Sequence, residues 1–164
     1  MADNVPLVVR VCAEDFDAGA ELAALEALGG GGIASFTGLV RDDGGLTALH
    51  LEHYPGMTER QLRDVVDEAA ARWPLLGVTV IHRFGTLPVG ARIVFVGTAS
   101  SHRVAALESC AFLIDWLKVA APFWKQTIRK DGGRDWVEAH GADDARAAGW
   151  AKQDGELTNP NFSR

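Results

Sequence analysis

The sequence predicts a single α+β domain with a mixed or antiparallel sheet and two main helices. The predicted elements follow the order βαββαββα, which favours this class over a doubly wound parallel sheet. The chain has 164 residues, of which 48% are hydrophobic, and this suffices for one domain with a hydrophobic core. Residues 1–150 contain no linker or repeat and are expected to form that domain. The polar residues 151–164 are expected to be a flexible tail.

The strand predictions depend on short β-branched or alternating segments that are bounded by turn residues. Asp15 or Asp17 caps the first helix, which ends at the glycines of residues 29–32. The Asp-Asp-Gly-Gly sequence at residues 42–45 is a strong turn signal, so the strands on either side of it are expected to form a hairpin. The five expected strands are residues 7–12, 33–40, 46–53, 78–84 and 93–99.

Two longer segments have the apolar spacing of helices that bury one face. Thr58 and Gln61 form a capping-box pattern that opens the first of them. The second covers about residues 101–120, with Ser101 as its expected N-cap and Pro122 as the residue that ends it. The expected buried stripe of this second helix is Val104, Leu107, Ala111, Ile114 and Leu117.

Charge and cysteine content exclude several classes of protein. The formal net charge of −6 disfavours a broad electrostatic surface for nucleic acid or anionic membrane, although it allows a small basic pocket. Cys12 and Cys110 have no metal-ligand spacing and are expected to be reduced thiols of a cytosolic protein. The N-terminus has no signal-peptide pattern, so a cytoplasmic location is expected.

Three patterns in the sequence suggest well-known kinds of active site, but none has the further features that such a site requires. The glycines at residues 29–32 follow a helix and precede a strand, the reverse of the order in a phosphate-binding loop, so they are interpreted as a loose, flexible connector. Ser100, Ser101 and His102 lack the surroundings of a hydrolase nucleophile. The histidines show no metal-ligand spacing, so neither a metal nor a cofactor is expected.

The strongest chemical signal is a pair of lysines. Lys118 lies in the last turn of the long helix, where the helix dipole favours a cation, and Lys125 is equally compatible with a solvated loop charge. The two lysines flank the sequence Pro-Phe-Trp at residues 122–124, a rigid apolar hinge that would hold them in fixed relation. Neighbouring cations lower the pKa of each other, and a lysine tuned in this way becomes a usable base or nucleophile.

Three further residues are candidate anion contacts. Arg41 follows a strand and precedes a turn, and His102 with Arg103 lies at the N-terminus of the long helix. His102 and Lys118 are sixteen helical steps apart, about 24 Å along the axis, so one small substrate cannot contact both ends of the helix. If both ends serve one site, His102 and Arg103 come from a second copy of the chain, which predicts a symmetric dimer with composite sites.

Five segments in this order resemble the catalytic large subunit of molybdopterin synthase, and the resemblance extends over about residues 6–150. Each segment is short, but the five together, with their separations, are specific. They are Phe-Thr-Gly-Leu-Val-Arg (36–41), Leu-Glu-His-Tyr-Pro-Gly-Met-Thr-Glu (51–59), Val-Ile-His-Arg-Phe-Gly (80–85), Ser-Ser-His-Arg (100–103) and Asp-Trp-Leu-Lys-Val-Ala-Ala-Pro-Phe-Trp-Lys (115–125).

The resemblance implies an α/β-hammerhead-like fold and a sulfurtransferase of molybdenum cofactor biosynthesis. Such an enzyme converts cyclic pyranopterin monophosphate to molybdopterin. Its sulfur comes from the C-terminal thiocarboxylate of a small ubiquitin-like carrier subunit that ends in Gly-Gly. The implied assembly is a heterotetramer, in which a central homodimer of this subunit has one carrier at each end.

The resemblance also implies roles for individual residues. Lys118 would be the general acid or base, and Lys125 would hold the substrate and stabilise developing negative charge. Arg41 would bind the phosphate or the pterin, and His102 with Arg103 would contribute from the neighbouring subunit. Two positions depart from the family pattern, because Leu39 and His140 stand where other members have basic residues. The alternative function is a non-catalytic module that binds the carrier tail.

Overall fold

The computed structural model describes residues 4–137 and 145–150, which form two four-stranded sheets with helices on both faces of the first. The strands are β1 (Leu7–Cys12), β2 (Gly32–Leu39), β3 (Leu46–His53), β4 (Leu75–Arg83), β5 (Gly85–Pro88), β6 (Arg92–Ser100), β7 (Phe123–Arg129) and β8 (Arg134–Trp136). The helices are α1 (Ala18–Glu26), α2 (Met57–Arg72) and α3 (Arg103–Val119), and residues 145–150 are also helical. The predicted α+β class with a mixed sheet is confirmed. The expected tail and His140 lie outside the described residues.

The first sheet has the strand order β1-β4-β6-β2, with β1 parallel to β4 and the other pairs antiparallel. Its strands alternate between two cores. Val78, Val80 and Val96 face α2 and α3, whereas Ile81 and Phe95 face α1. The sheet is therefore covered on both faces, which accounts for the nearly continuous burial of β4 and β6.

Two glycines let α1 approach the first sheet closely. A Cβ atom at Gly97 would lie 2.4 Å from Cδ1 of Leu25, and one at Gly77 would lie 2.3 Å from Cδ1 of Leu28. A side chain at either position would force the facing leucine to move, because non-bonded carbon atoms do not approach so closely. No helix in the described part of the chain is both long and apolar enough to cross a membrane.

The second sheet has the order β5-β3-β7-β8 and is antiparallel throughout. The predicted hairpin between β2 and β3 is wrong, because β2 pairs with β6 and β3 pairs with β5 and β7. The turn itself forms, and the Asp42 carboxylate accepts the backbone N–H groups of Gly44 and Gly45. Before that turn, Val40 donates its N–H to Ala91, so the chain leaves the first sheet and crosses to the second.

Helix α2 begins differently from the predicted capping box. Its N-cap is Gly56, with a positive φ of 84°, and the Gly56 N–H donates to Oε2 of Glu59 at 2.6 Å. Thr58 is fully buried within the first turn. Its hydroxyl accepts the N–H of Tyr54 at 3.2 Å and donates to the carbonyl of Pro122 at 3.5 Å. Thr58 thus links the start of α2 to the segment that follows α3.

Helix α3 is rotated relative to its predicted orientation. Val104 and Leu107 of the expected stripe are 54% and 61% exposed, and the expected cap at Ser101 is wrong because His102 is the N-cap residue. Small side chains on the buried face let the helix pack closely on β2 and β6, and the Thr98 hydroxyl donates to the carbonyl of Ala106 at 2.6 Å. The buried residues are Ala105, Ala106, Ser109, Cys110, Phe112 and Leu113.

We expect Thr58→Val to lower the free energy of unfolding by about 2 kcal/mol, because it leaves a partly buried N–H and a carbonyl without their hydroxyl partner. The measurement is urea unfolding followed by far-UV circular dichroism. Thr47→Val is the matched control, since the Thr47 hydroxyl donates to the Ile128 carbonyl at an exposed position. Its expected loss is below about 0.5 kcal/mol. Equal losses in the two variants would contradict the assigned role of Thr58.

Candidate functional site

A cleft of about 470 Å³ lies where the end of α3, strand β2 and strand β7 meet. It brings together three of the five predicted site residues, namely Arg41, Lys118 and Lys125. Phe36 and Leu39 form part of its apolar lining. Leu39 is 54% exposed and offers this cleft an apolar side chain, where other family members were expected to have a basic one. The cleft therefore combines cationic groups with an apolar surface.

The two lysines reach the cleft from different kinds of element. Lys118 lies in the last turn of α3, where the unpaired carbonyl groups favour a cation. Lys125 lies on β7, opposite Leu51 of β3, so the alternative of a solvated loop charge does not apply to it. Only a short turn separates the elements, and the N–H of Phe123 donates to the carbonyl of Ala121 at 2.8 Å within it.

The turn between α3 and β7 is fixed by contacts on both sides. The carbonyl of Pro122 accepts the buried Thr58 hydroxyl, and the ring of Phe123 stacks on His82 with a centroid separation of 3.7 Å. The His53 ring is also stacked near Phe123, with a centroid separation of 6.2 Å. These contacts support the prediction that residues 122–124 are a rigid hinge.

His82 is a site residue that the sequence predictions did not include. Its pKa is lowered to about 3, mainly by burial and also by the positive charges of Lys125 and Lys118, against the opposing effect of the hydrogen bond to Arg83. The ring is therefore neutral at physiological pH. His82 lines a small cavity of about 50 Å³ together with both lysines. The sequence feature that could have indicated His82 is a single histidine near the end of an apolar strand.

Arg41 occupies the rim of the cleft and is paired with an acidic neighbour. Its Nε lies 2.8 Å from Oδ1 of Asp43, and the two side chains are 81% and 54% exposed. An ion pair this exposed contributes little stability and exchanges readily with other partners. Asp43 was not anticipated as a cleft residue. The guanidinium remains available to an incoming anion.

His102 and Arg103 do not join the cleft of their own chain. They lie at the start of α3, seventeen residues long, whereas Lys118 lies at its end. Both are exposed. The neighbouring glycine connector packs tightly here, because the N–H of Gly31 donates to the carbonyl of Ser100 and a Cβ at Gly31 would lie 2.3 Å from the carbonyl oxygen of Ser101. The interpretation of those glycines as a loose connector is therefore wrong.

Metal-ligand and thiol chemistry find no support in the described residues. They contain no group of three or more histidine, cysteine or carboxylate side chains that could hold a metal ion. Neither Cys12 nor Cys110 lines the cleft. Burial raises the pKa of the Cys12 thiol, with a further contribution from Glu14, and burial raises the pKa of Cys110 to about 11.

Comparisons with known proteins agree on one family. Residues 11–120 match the family described as MoaE protein. The chain is 50% identical over 146 residues to the molybdopterin synthase catalytic subunit of Mesorhizobium japonicum, covering 87% of this chain and 92% of that one. It is 51% identical over 123 residues to that of Escherichia coli, covering 73% and 81%. The molybdopterin biosynthesis MoaE protein from Burkholderia ambifaria superposes with a TM-score of 0.76 at 45% identity, covering 88% and 98%.

We expect Cys110 to resist alkylation by iodoacetamide in the folded protein. With a pKa of about 11, only about one thiol in a thousand is a thiolate at pH 8, and the thiolate is the reactive form. Mass spectrometry of digests after timed labelling measures the rate at each cysteine. The control is labelling in denaturant, where Cys12 and Cys110 should react equally fast. Rapid labelling of Cys110 without unfolding would contradict the burial argument.

Proposed function

The chain belongs to the MoaE family of molybdopterin synthase catalytic subunits, and from this membership we propose how its cleft transfers sulfur. The substrate is cyclic pyranopterin monophosphate and the product is the dithiolene molybdopterin. Sulfur arrives as the C-terminal thiocarboxylate of a small ubiquitin-like carrier subunit ending in Gly-Gly. The observation that carries the proposal is the presence of Lys118 and Lys125 in one cleft.

Charge explains why a lysine cleft suits this reaction. The phosphate of the pterin and the thiocarboxylate of the carrier are both anions, and ammonium groups attract both. The chain as a whole has a net charge of −6, so the cationic cleft is a local feature that selects where these anions bind. Apolar contact with Phe36 and Leu39 offers the pterin rings a surface beside the charges.

Lys118 is the general acid or base of the proposed mechanism. The thiocarboxylate sulfur is the nucleophile that attacks an oxygen-bearing carbon of the pyranopterin. The carbon–oxygen bond at that carbon breaks as the carbon–sulfur bond forms, and Lys118 donates the proton with which the oxygen leaves. Water then cleaves the resulting thioester and leaves the carrier as a carboxylate. Because the sulfur arrives already activated on the carrier, the chain requires no reactive cysteine, in keeping with the raised thiol pKa values of Cys12 and Cys110.

Lys125 and Arg41 bind the substrate and take no part in proton transfer. Lys125 holds the substrate and stabilises the negative charge that develops during sulfur addition. Arg41, at the rim, binds the phosphate or the pterin by exchanging its Asp43 partner for the substrate anion, which costs little because that pair is exposed.

The proposed assembly is a homodimer of this subunit, with His102 and Arg103 of one copy completing the cleft of the other. Three observations support it: both residues are exposed, both lie a helix length from Lys118, and Val104 and Leu107 beside them are exposed apolar side chains. One carrier at each end would make a heterotetramer, located in the cytoplasm. The alternative, a module that binds the carrier tail without turnover, is less consistent with two lysines kept in one cleft.

We expect Lys118→Ala to lower the rate of dithiolene formation by at least about a thousandfold, because the proton-transfer group is lost. The measurement is molybdopterin formation from purified chain, thiocarboxylated carrier and cyclic pyranopterin monophosphate. Lys130→Ala is the control, since Lys130 is an exposed lysine outside the cleft and its loss should leave the rate unchanged. A fully active Lys118→Ala would refute the residue assignment. Carrier binding by the wild type without product would favour the binding module.

We expect Lys118→Ala and Arg103→Ala to complement each other when their subunits are mixed. Each homodimer lacks part of both sites, whereas a mixed dimer has one site with both residues intact. With random exchange, half of the dimers are mixed and each has one working site, so about a quarter of wild-type activity should return. Co-refolding at equal concentrations followed by the same assay measures it. The absence of any recovery in verified mixed dimers would rule out the composite site.

A further inference from the structure

His82 lies beneath the cleft at the point where both lysines converge, and the mechanism above does not use it. We propose that His82 is a positioning residue: its Nε2 accepts a hydrogen bond from a water molecule in the small cavity that it shares with Lys125, and that water accepts a hydrogen bond from the Lys125 ammonium. This inference rests on the proposed function for its catalytic consequence. Its structural part, the link between imidazole and lysine, can be measured without turnover.

The first step is the tautomer of the ring. Nδ1 of His82 lies 2.9 Å from the backbone carbonyl oxygen of Arg83, and a carbonyl oxygen can only accept. Nδ1 therefore carries the proton of the neutral ring, and Nε2 has a lone pair. Stacking on Phe123, with 15° between the ring planes, prevents the ring from rotating. The orientation of the Nε2 lone pair is fixed by these two contacts.

The second step is the surroundings of Nε2. Among the described residues, no side-chain nitrogen or oxygen that is shielded from solvent lacks a hydrogen-bond partner. The hydrogen bond that His82 makes there uses Nδ1, so Nε2 is reached by solvent even though the residue is only 4% exposed. The small cavity provides that access, and its volume of about 50 Å³ accommodates a bridging water.

The third step is the direction from which Lys125 arrives. Residues two apart on a strand project from the same face, so Lys125 leaves β7 on the same side as Phe123, whose ring contacts His82. Lys125 and Lys118 both line the cavity. His53 is the third titratable group that acts on His82, and its Nε2 lies 3.9 Å from Oε1 of Glu59.

The neutral charge of the His82 ring makes it a suitable hydrogen-bond acceptor beside two lysines. A protonated imidazole would repel both ammonium groups, whereas a neutral ring with an exposed lone pair attracts one of them without adding charge. Burial and the two lysines keep the pKa of His82 near 3, so the acceptor stays available throughout the physiological range. The water-bridged link holds the Lys125 ammonium in position and favours its charged form, which is the form that stabilises a developing anion.

Three substitutions separate the functions of the two ring nitrogens. His82→Asn retains a donor at the Nδ1 position for the Arg83 carbonyl and removes the Nε2 acceptor. His82→Gln restores an amide oxygen at the Nε2 position, and His82→Phe retains the stacked ring and removes both nitrogens. The readouts are an NMR titration of lysines labelled with ¹³C at the ε-carbon, and kcat and KM for sulfur transfer.

We expect the pKa of Lys125 to fall by about one pH unit in His82→Asn and His82→Phe, and to return close to the wild-type value in His82→Gln. We expect kcat to fall about tenfold in the first two variants and to recover in His82→Gln, while KM for the carrier stays constant. In the wild type, ring ¹⁵N spectra should show an unprotonated Nε2 from about pH 5 to pH 9, with a signal that moves in Lys125→Met.

Either of two results would overturn the proposal. One is a Lys125 pKa that is unchanged in folded His82→Asn, because the acceptor would then have no effect on the ammonium. The other is an equal loss of kcat in all three variants without a change in that pKa, which indicates a structural role only. If a variant does not fold, the wild-type Nε2 signal and its response to Lys125→Met decide. A wild type that makes no dithiolene would refute the proposed function and leave the titration informative.

Discussion

The geometry of the cleft depends on how sharply the chain turns between α3 and β7. Lys118 and Lys125 stand on either side of that turn, so any change in its angle moves one ammonium relative to the other. Two buried contacts fix the angle. The Thr58 hydroxyl holds the carbonyl of Pro122, and the Phe123 ring lies flat against His82. A helix start and a central strand of the first sheet thus control the site from below, which no surface loop could do as rigidly.

The architecture also explains why the cleft is open. Strands β2 and β7 belong to different sheets, so no ladder of hydrogen bonds closes the gap between them. The segment from Val40 to Leu46 crosses this gap and carries Arg41 to the rim. A narrow peptide ending in two glycines can enter such a gap with little steric cost. The same opening leaves Arg41 exposed, with Asp43 as its ion-pair partner.

The sequence predicted those features of the structure that depend on interactions between residues close together in the chain. The residues of β1 and β3 were predicted to their ends, and the lysine pair was predicted because a proline hinge separates the lysines by only seven positions. Features that depend on residues far apart in the chain were not predicted. The turn at residues 42–45 forms, yet β2 pairs with β6, because strand pairing is decided by burial across the whole sheet. His82 was missed because its significance comes from Phe123 and Lys125, which are distant in sequence.

The orientation of α3 connects the fold to the proposed dimer. Within one chain, small side chains set the buried face, since only they allow close packing on β2 and β6, and Val104 and Leu107 turn outward. Large apolar side chains on the first two turns of a helix are unfavourable in water and favourable against a partner. They lie beside Arg103, the residue that cannot reach the cleft of its own chain. An interface that covers these side chains would therefore place Arg103 next to a second copy, so one contact would remove apolar surface from water and supply the missing cation.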